Sequence, residues 1–274
     1  MRRRFTLADG DGGSYSLHAD MPVAGGNLVI GTGGKLANHD ADIFDPDNSV
    51  FFVNNFNDVS RDLYSVFGEW TGPLAESLQL EIGARYTRVE MDAGTVDGTP
   101  AQMMPAAQTL RDSFNNSDRA RNDDNLDLAA RLNYALNDDV SLLAGVARKT
   151  RSPSYQERYL WLPLQSTGGL ADGNNYVGDI GLDPEVTHEI ELGFDWRPGY
   201  AYFAPRLFYR HIDDYIQGTP ATNAAVVMQS TMAGDPTPLQ FSNVDARIYG
   251  LDAEWGAAAD GALVSGRHRK LCAR

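Results

Sequence analysis

The 274-residue chain has a single cysteine, Cys272, and it lies in the tail. That excludes a disulfide framework and a cysteine-rich metal site. Positive charge is scarce as well: 23 Lys and Arg stand against 37 Asp and Glu, a net charge of −14. Nucleic-acid binding needs a basic footprint, so that class falls. No apolar run approaches the roughly 18 residues of a membrane helix, and the mean hydropathy is −0.36. This excludes helical spans only, because membrane strands alternate and never make a hydrophobic window. Met1-Arg2-Arg3-Arg4 has the charge of a signal-peptide front, but no apolar segment follows it, so no export signal is expected. With 42 % hydrophobic and 22 % charged residues, the chain is not disordered either.

What is abundant is alternation. Over 186–196 every second residue, from Val186 and His188 through Ile190, Leu192 and Phe194 to Trp196, is apolar or aromatic, with Thr187, Glu189, Glu191, Gly193 and Asp195 between them. A strand sorts the two sets onto opposite faces, whereas a helix would scatter them. Leu78, Leu80, Ile82, Ala84 and Tyr86 repeat the pattern, as do Leu126, Leu128, Ala130, Leu132 and Tyr134. The pattern predicts about nine strands, near 14–20, 27–38, 60–71, 77–92, 124–136, 139–151, 185–197, 201–213 and 241–256. No amphipathic helix of useful length is expected.

The connections between these strands alternate short and long. The short ones carry turn chemistry: Gly25-Gly26, Gly72-Pro73, Asn137-Asp138 and Pro198-Gly199. The long ones cover 39–59, 93–123, 152–184 and 214–240. In an up-and-down sheet this places all tight turns at one end and all long loops at the other, the plan of an outer-membrane barrel. Phe194, Trp196 and Tyr134 fall near the short turns, where a barrel has an aromatic girdle. The opposite face carries Glu81, Arg85, Arg131, Glu189, Glu191 and Asp195, which suits a watery lumen. A soluble antiparallel sheet with one wet face alternates in the same way, so a secreted β-sandwich binding protein or β-rich hydrolase stands as the alternative.

Two segments carry a family resemblance. Arg148-Lys149-Thr150-Arg151-Ser152-Pro153-Ser154-Tyr155-Gln156-Glu157 resembles the R-x-P-S-x-x-E segment of TonB-dependent receptor barrels. Gly181-Leu182-Asp183-Pro184-Glu185, followed by His188-Glu189-Ile190-Glu191-Leu192-Gly193, resembles their L-x-P-E…E-x-G signature. The copper-receptor branch is the most similar, through Tyr159-Leu160-Trp161-Leu162-Pro163-Leu164, Gly168-Gly169-Leu170-Ala171-Asp172-Gly173, Asn55-Phe56-Asn57-Asp58-Val59 and Asp213-Asp214-Tyr215-Ile216-Gln217-Gly218.

The resemblance implies an all-β, antiparallel, up-and-down transmembrane barrel of 22 strands enclosing a plug, in the bacterial outer membrane. It implies energised uptake of a scarce ligand through TonB, and no enzymatic activity. At about 28 residues per strand, 22 strands need on the order of 600 residues. Residues 1–256 are therefore expected to be a partial barrel without plug or TonB-binding segment, contacting the lipid bilayer, with TonB engaged only by a full-length relative. Residues 257–274 are expected to be a truncated turn and strand with an out-of-frame tail, because the basic Arg267-His268-Arg269-Lys270 run interrupts the acidic, alternating pattern.

No cofactor is expected; copper is the expected cargo. Copper(I) favours thioether ligands, and Met103-Met104 in the 93–123 loop, with Met91 at its root, are the first candidates. Met228 and Met232 in the 214–240 loop are weaker ones. The alternative is that these methionines simply pack their loops. His18, His39, His188, His211 and His268 have no metal-ligand spacing, and Asp213 and Asp214 point to opposite faces of a strand. Glu189 and Glu191 share a face but lack a sugar-binding cleft. Gly31-x-Gly33-Gly34 opens no helix, so it is no phosphate cradle. No catalytic residue is expected.

Overall fold

Alternation becomes one antiparallel meander. The computed structural model describes residues 4–164, 172–259 and 262–269. Its strands are β1 (Phe5–Val23), β2 (Gly26–Asp45), β3 (Asn48–Ala75), β4 (Leu78–Asp92), β5 (Arg121–Ala135), β6 (Val140–Arg151), the two-residue β7 (Tyr176–Val177), β8 (Glu185–Trp196), β9 (Ala201–Pro220), β10 (Leu239–Ala259) and β11 (Ala262–Arg269). All but β7 lie side by side in the order β1-β2-β3-β4-β5-β6-β8-β9-β10-β11, each antiparallel to the next. Strand β7 instead pairs parallel with β10. The sheet is open, with β1 and β11 at its edges. This is a partial barrel wall, as the alternation predicted. Among the described residues no helix is long and apolar enough to cross a membrane.

Three expectations are corrected. The 39–59 segment is no loop: β2 and β3 continue to a two-residue turn at Pro46-Asp47, pairing Phe44 with Phe52 and Ile43 with Val53. Register shifts at His39/Ala41 and Ala41/Asp42 break the two-residue period there, which hid the strands. Gly72-Pro73 lies inside β3, and the turn falls at Glu76-Ser77; Pro73, with no N–H to give, sits beside the irregularity at Pro73/Ala75. The first turn is Ala24-Gly25, both at positive φ of 51° and 76°, the geometry that matches strand twist.

Helices were also missed. The long connections fold into α1 (Thr99–Met103), α2 (Pro105–Asn116), α3 (Tyr155–Tyr159) and α4 (Ala224–Met232). Their start signals are readable. Pro105 opens α2, the Asn223 side chain caps α4, and Ser154 with Glu157 forms a reciprocal capping box on α3. At the other end of the chain, β10 runs on through 257–259, and Ala262–Arg269 pairs with it from Ala259↔Ala262 to Asp252↔Arg269. Residues 1–3, 165–171, including Gly168-Gly169-Leu170-Ala171, and 270–274, with Cys272, lie outside the described residues.

The pairing register sorts the side chains onto two faces. One carries Leu128, Leu132, Leu142, Val146, Ile190, Leu192, Leu207 and Leu251, all exposed on the isolated chain. Toward the short turns the same face ends in Trp70, Tyr134, Trp196, Phe203 and Trp255. The other face is concave and polar. It holds a groove of about 300 Å³ lined by Glu69, Glu81, Arg131, Lys149, Glu189 and Glu191. Lys149 Nζ and Arg210 Nη2 hold Glu189 at 3.2 and 3.1 Å, so Glu189 and Glu191 are lumen charges rather than an acid pair. A water-soluble sheet buries its apolar face against another layer; here that face is the bare one.

Candidate functional site

The buried hydrophobic residues gather at the long-loop end. There the β2–β3 hairpin and the three helical connections fold together over the concave face, with a core of Ile43, Val53, Phe56, Val59, Val89, Met91, Leu110, Phe114, Tyr159, Leu160, Trp161, Leu162, Tyr176 and Val226. Tyr159–Leu164, part of the copper-branch resemblance, is buried throughout. Trp161 Nε1 donates to Asn54 O at 2.9 Å, tying this segment to β3. In Asn55–Val59, Phe56 and Val59 enter the core. Asp58, at φ 47°, donates its N–H to Asp40, and Asn57 donates to Thr95 O.

The two family-like segments are joined to each other. Arg151 from the first donates to Glu185 of the second at 2.8 and 2.6 Å, and to Glu157 of its own segment at 2.9 and 3.2 Å. Glu185 also accepts from Ile216 N at 2.8 Å, reaching the Asp213–Gly218 stretch. Motifs some 30 residues apart in sequence are thus one charge-assisted clamp at the top of β6, β8 and β9. Burial opposes ionisation of Glu157, but its bonds from Arg151 and Ser154 prevail and hold it below the usual carboxylate range.

Beneath the clamp lies Arg158. Its side chain is 1 % exposed and that of Asp123 5 %. Arg158 Nη2 donates to Asp123 Oδ1 at 2.8 Å and Leu182 O at 2.9 Å, and Nη1 to the Met91 sulfur at 3.5 Å. Arg158 Nε and Asp123 Oδ2 have no partner among the described residues. Gly178 lies so close that a Cβ there would stand 2.8 Å from Arg158 O. Sequence reasoning missed this pair, since its members are 35 positions apart and no local pattern links them.

Burial raises Tyr159 and Tyr176 from 10 to about 12, and the Asp172 carboxylate at 2.6 Å adds to the effect on Tyr176. Their contribution to cap stability is complete below pH 10 and is lost as pH rises through about 12. Titration of tyrosinate absorbance is expected to show two late-ionising groups, with Trp161 fluorescence changing over the same interval. The double change Tyr159→Phe with Tyr176→Phe removes those late ionisations; if it leaves the absorbance titration unchanged, the assignment is wrong.

The candidate methionines are split. Met103, at the end of α1, is 77 % exposed, and Met228 and Met232 on α4 are 58 % and 63 % exposed. Met104 packs against the core at the start of α2. Met91 is buried and its sulfur is occupied by Arg158. Helices α2 and α4 pack together and line a cavity of about 220 Å³ with Leu110, Phe114, Arg158, Trp161, Asn223 and Val226. Among the described residues no group of three or more His, Cys, Asp or Glu is arranged as a metal site.

An open meander with tight turns at one end, folded loops at the other and a bare apolar outer face is a membrane barrel wall. The family model "TonB dependent receptor-like, beta-barrel" matches residues 2–266. The chain belongs to this family. Its fold is similar to that of the copper transporter OprC (TM-score 0.68, 20 % identity, 93 % of this chain and 36 % of that one). It is also similar to a Serratia marcescens hemophore receptor HasR (0.60, 14 %, 93 % and 40 %) and the Neisseria meningitidis iron transporter FrpB (0.56, 14 %, 93 % and 34 %). The chain spans about a third of the first of these. No curated protein matches it in sequence.

Proposed function

We propose that this chain is part of the wall and outer cap of an outer-membrane receptor that imports copper by TonB-driven transport. The reading is of a transporter and not an enzyme, with copper as cargo and no resident cofactor. The observation that carries it is the set of methionines at the long-loop end: Met103 exposed at the close of α1, Met104 beside it, and Met228 and Met232 exposed on α4, which packs on α2. Exposed thioethers on structured loops cost burial without gaining packing, and they are the soft donors that Cu(I) selects. The similarity in fold to a protein described as a copper transporter supports the same cargo. Met103 and Met104 are the first ligands to test and Met228 and Met232 the second; the rest of the coordination sphere comes from other parts of the receptor.

The experiment uses the full-length receptor carrying this barrel. Met103→Ala with Met104→Ala is expected to weaken Cu(I) binding and copper uptake at limiting copper by at least roughly ten-fold, the loss that even outer-shell changes produce at metal sites. Retention of both at the parental level, or parental uptake of an iron chelate but none of copper, decides between cargoes: the first together with iron-chelate uptake overturns the copper reading.

A further inference from the structure

Four basic side chains form a row on the apolar outer face. Arg148 on β6 stands directly opposite His188 on β8, His188 opposite His211 on β9, and His211 opposite Arg247 on β10. With strands about 4.8 Å apart the row is roughly 14 Å long, and it climbs with the strand tilt. Two residues toward the short turns stand Val146, Ile190, Tyr209 and Tyr249, the exposed apolar band. Eight residues below the row are Val140, Trp196, Phe203 and Trp255 on the same four strands. Eight residues span about 27 Å along a strand, or about 20 Å along the normal at a 40° tilt, comparable with an apolar band about 25 Å tall. The row therefore marks the upper edge of the band, where the bilayer hydrocarbon gives way to headgroups.

The charges there do not balance within the protein. Asp213 is the acid printed against the row, 3.1 Å from His211 Nε2 and 3.8 Å from His188 Nε2. Arg148 donates to the carbonyl oxygen of Leu126. Two arginines thus face one carboxylate, before any histidine is protonated, on a chain whose net charge is −14. His211 Nδ1 is buried and has no partner among the described residues. Arg148, His188 and His211 also line a groove of about 340 Å³ floored by Val146, Ile190 and Tyr209.

We propose that this row is a binding site for a phosphorylated lipid headgroup of the outer leaflet, its acyl chains lying on the Val146–Ile190–Tyr209 floor. Phosphate oxygens accept from the two guanidinium groups and from the imidazole nitrogens, and so satisfy donors that the apolar surroundings leave exposed. Position selects a lipid over a soluble anion, because the groove opens onto the apolar band and not onto the lumen. This inference uses the orientation of the barrel wall and is independent of the copper reading.

The test is native mass spectrometry of the full-length receptor in micelles, with lipid A as the probe and its dephosphorylated form and inorganic phosphate as the comparison arms. Lipid A is expected to remain bound while dephosphorylated lipid A dissociates, and millimolar inorganic phosphate should not displace it. Arg148→Gln with Arg247→Gln should weaken lipid A binding roughly thirty-fold, two surface cations at about five-fold each, while heat-modifiable migration shows the barrel still folded. Equal retention of the two lipid forms by the parental receptor overturns the proposal without recourse to any variant. So does parental lipid A affinity in the folded double variant. Copper uptake is a separate readout and stays at the parental level in either case.

Discussion

Asp123→Ala is expected to destabilise the cap by about 3–5 kcal/mol, the cost of leaving one member of a buried ion pair without the other. Arg158 cannot escape to solvent: its side chain is 1 % exposed, pinned between Asp123, Leu182 O and the Met91 sulfur. Removing the carboxylate leaves a guanidinium in an apolar site, where its remaining contacts are one carbonyl and one weak thioether acceptor. The asymmetry is the useful part. Arg158→Met together with Asp123→Leu replaces both charges with apolar groups and should recover most of the loss, because the pair itself is worth little over a well-packed substitute. Hydrogen exchange of cap amides in micelles reads the effect: the single variant loses protection across α3 and the Tyr159–Leu164 segment, and the double variant regains it. Equal protection in the parent and the single variant would show that the pair does not hold the cap.

Leu192→Arg should cost about 2–4 kcal/mol when the barrel is unfolded from lipid vesicles, whereas Glu191→Gln, one residue away, should stay within about 0.5 kcal/mol. Leu192 lies on the outer face opposite Ala144 and Leu207. It sits four residues from Trp196 and four from His188, which places it near the middle of the apolar band. An arginine there meets hydrocarbon. Glu191 lines the concave groove, where losing a charge leaves a side chain that water still solvates. Urea titrations of the two variants in the same vesicles make the comparison. A reversed order of costs would invert the assignment of the faces.

Much of the wall was legible because a strand's face is a local property. The sets at 186–196, 78–86 and 126–134 fall on the faces that alternation assigned them, and Trp196 and Tyr134 lie toward the short turns. The helical connections were less legible. Pro105, Asn223 and the Ser154/Glu157 box announce helix starts, yet α3 spans only five residues and α1 another five, too few to set up an amphipathic period. Ile43 and Val53 were taken for loop because bulges interrupt the count of two around them.

The sequence by itself determined the strands, the sorting of short and long connections, and the membership of a receptor family, since each rests on residues near one another in the chain. The tertiary structure alone decided three things. It made one clamp of Arg151, Glu157 and Glu185, put Arg158 on Asp123, and lined up Arg148, His188, His211 and Arg247 on the outer face. Those contacts depend on strand register and on how loops fold back, which follow from packing over the whole sheet and leave no periodic trace in any single segment.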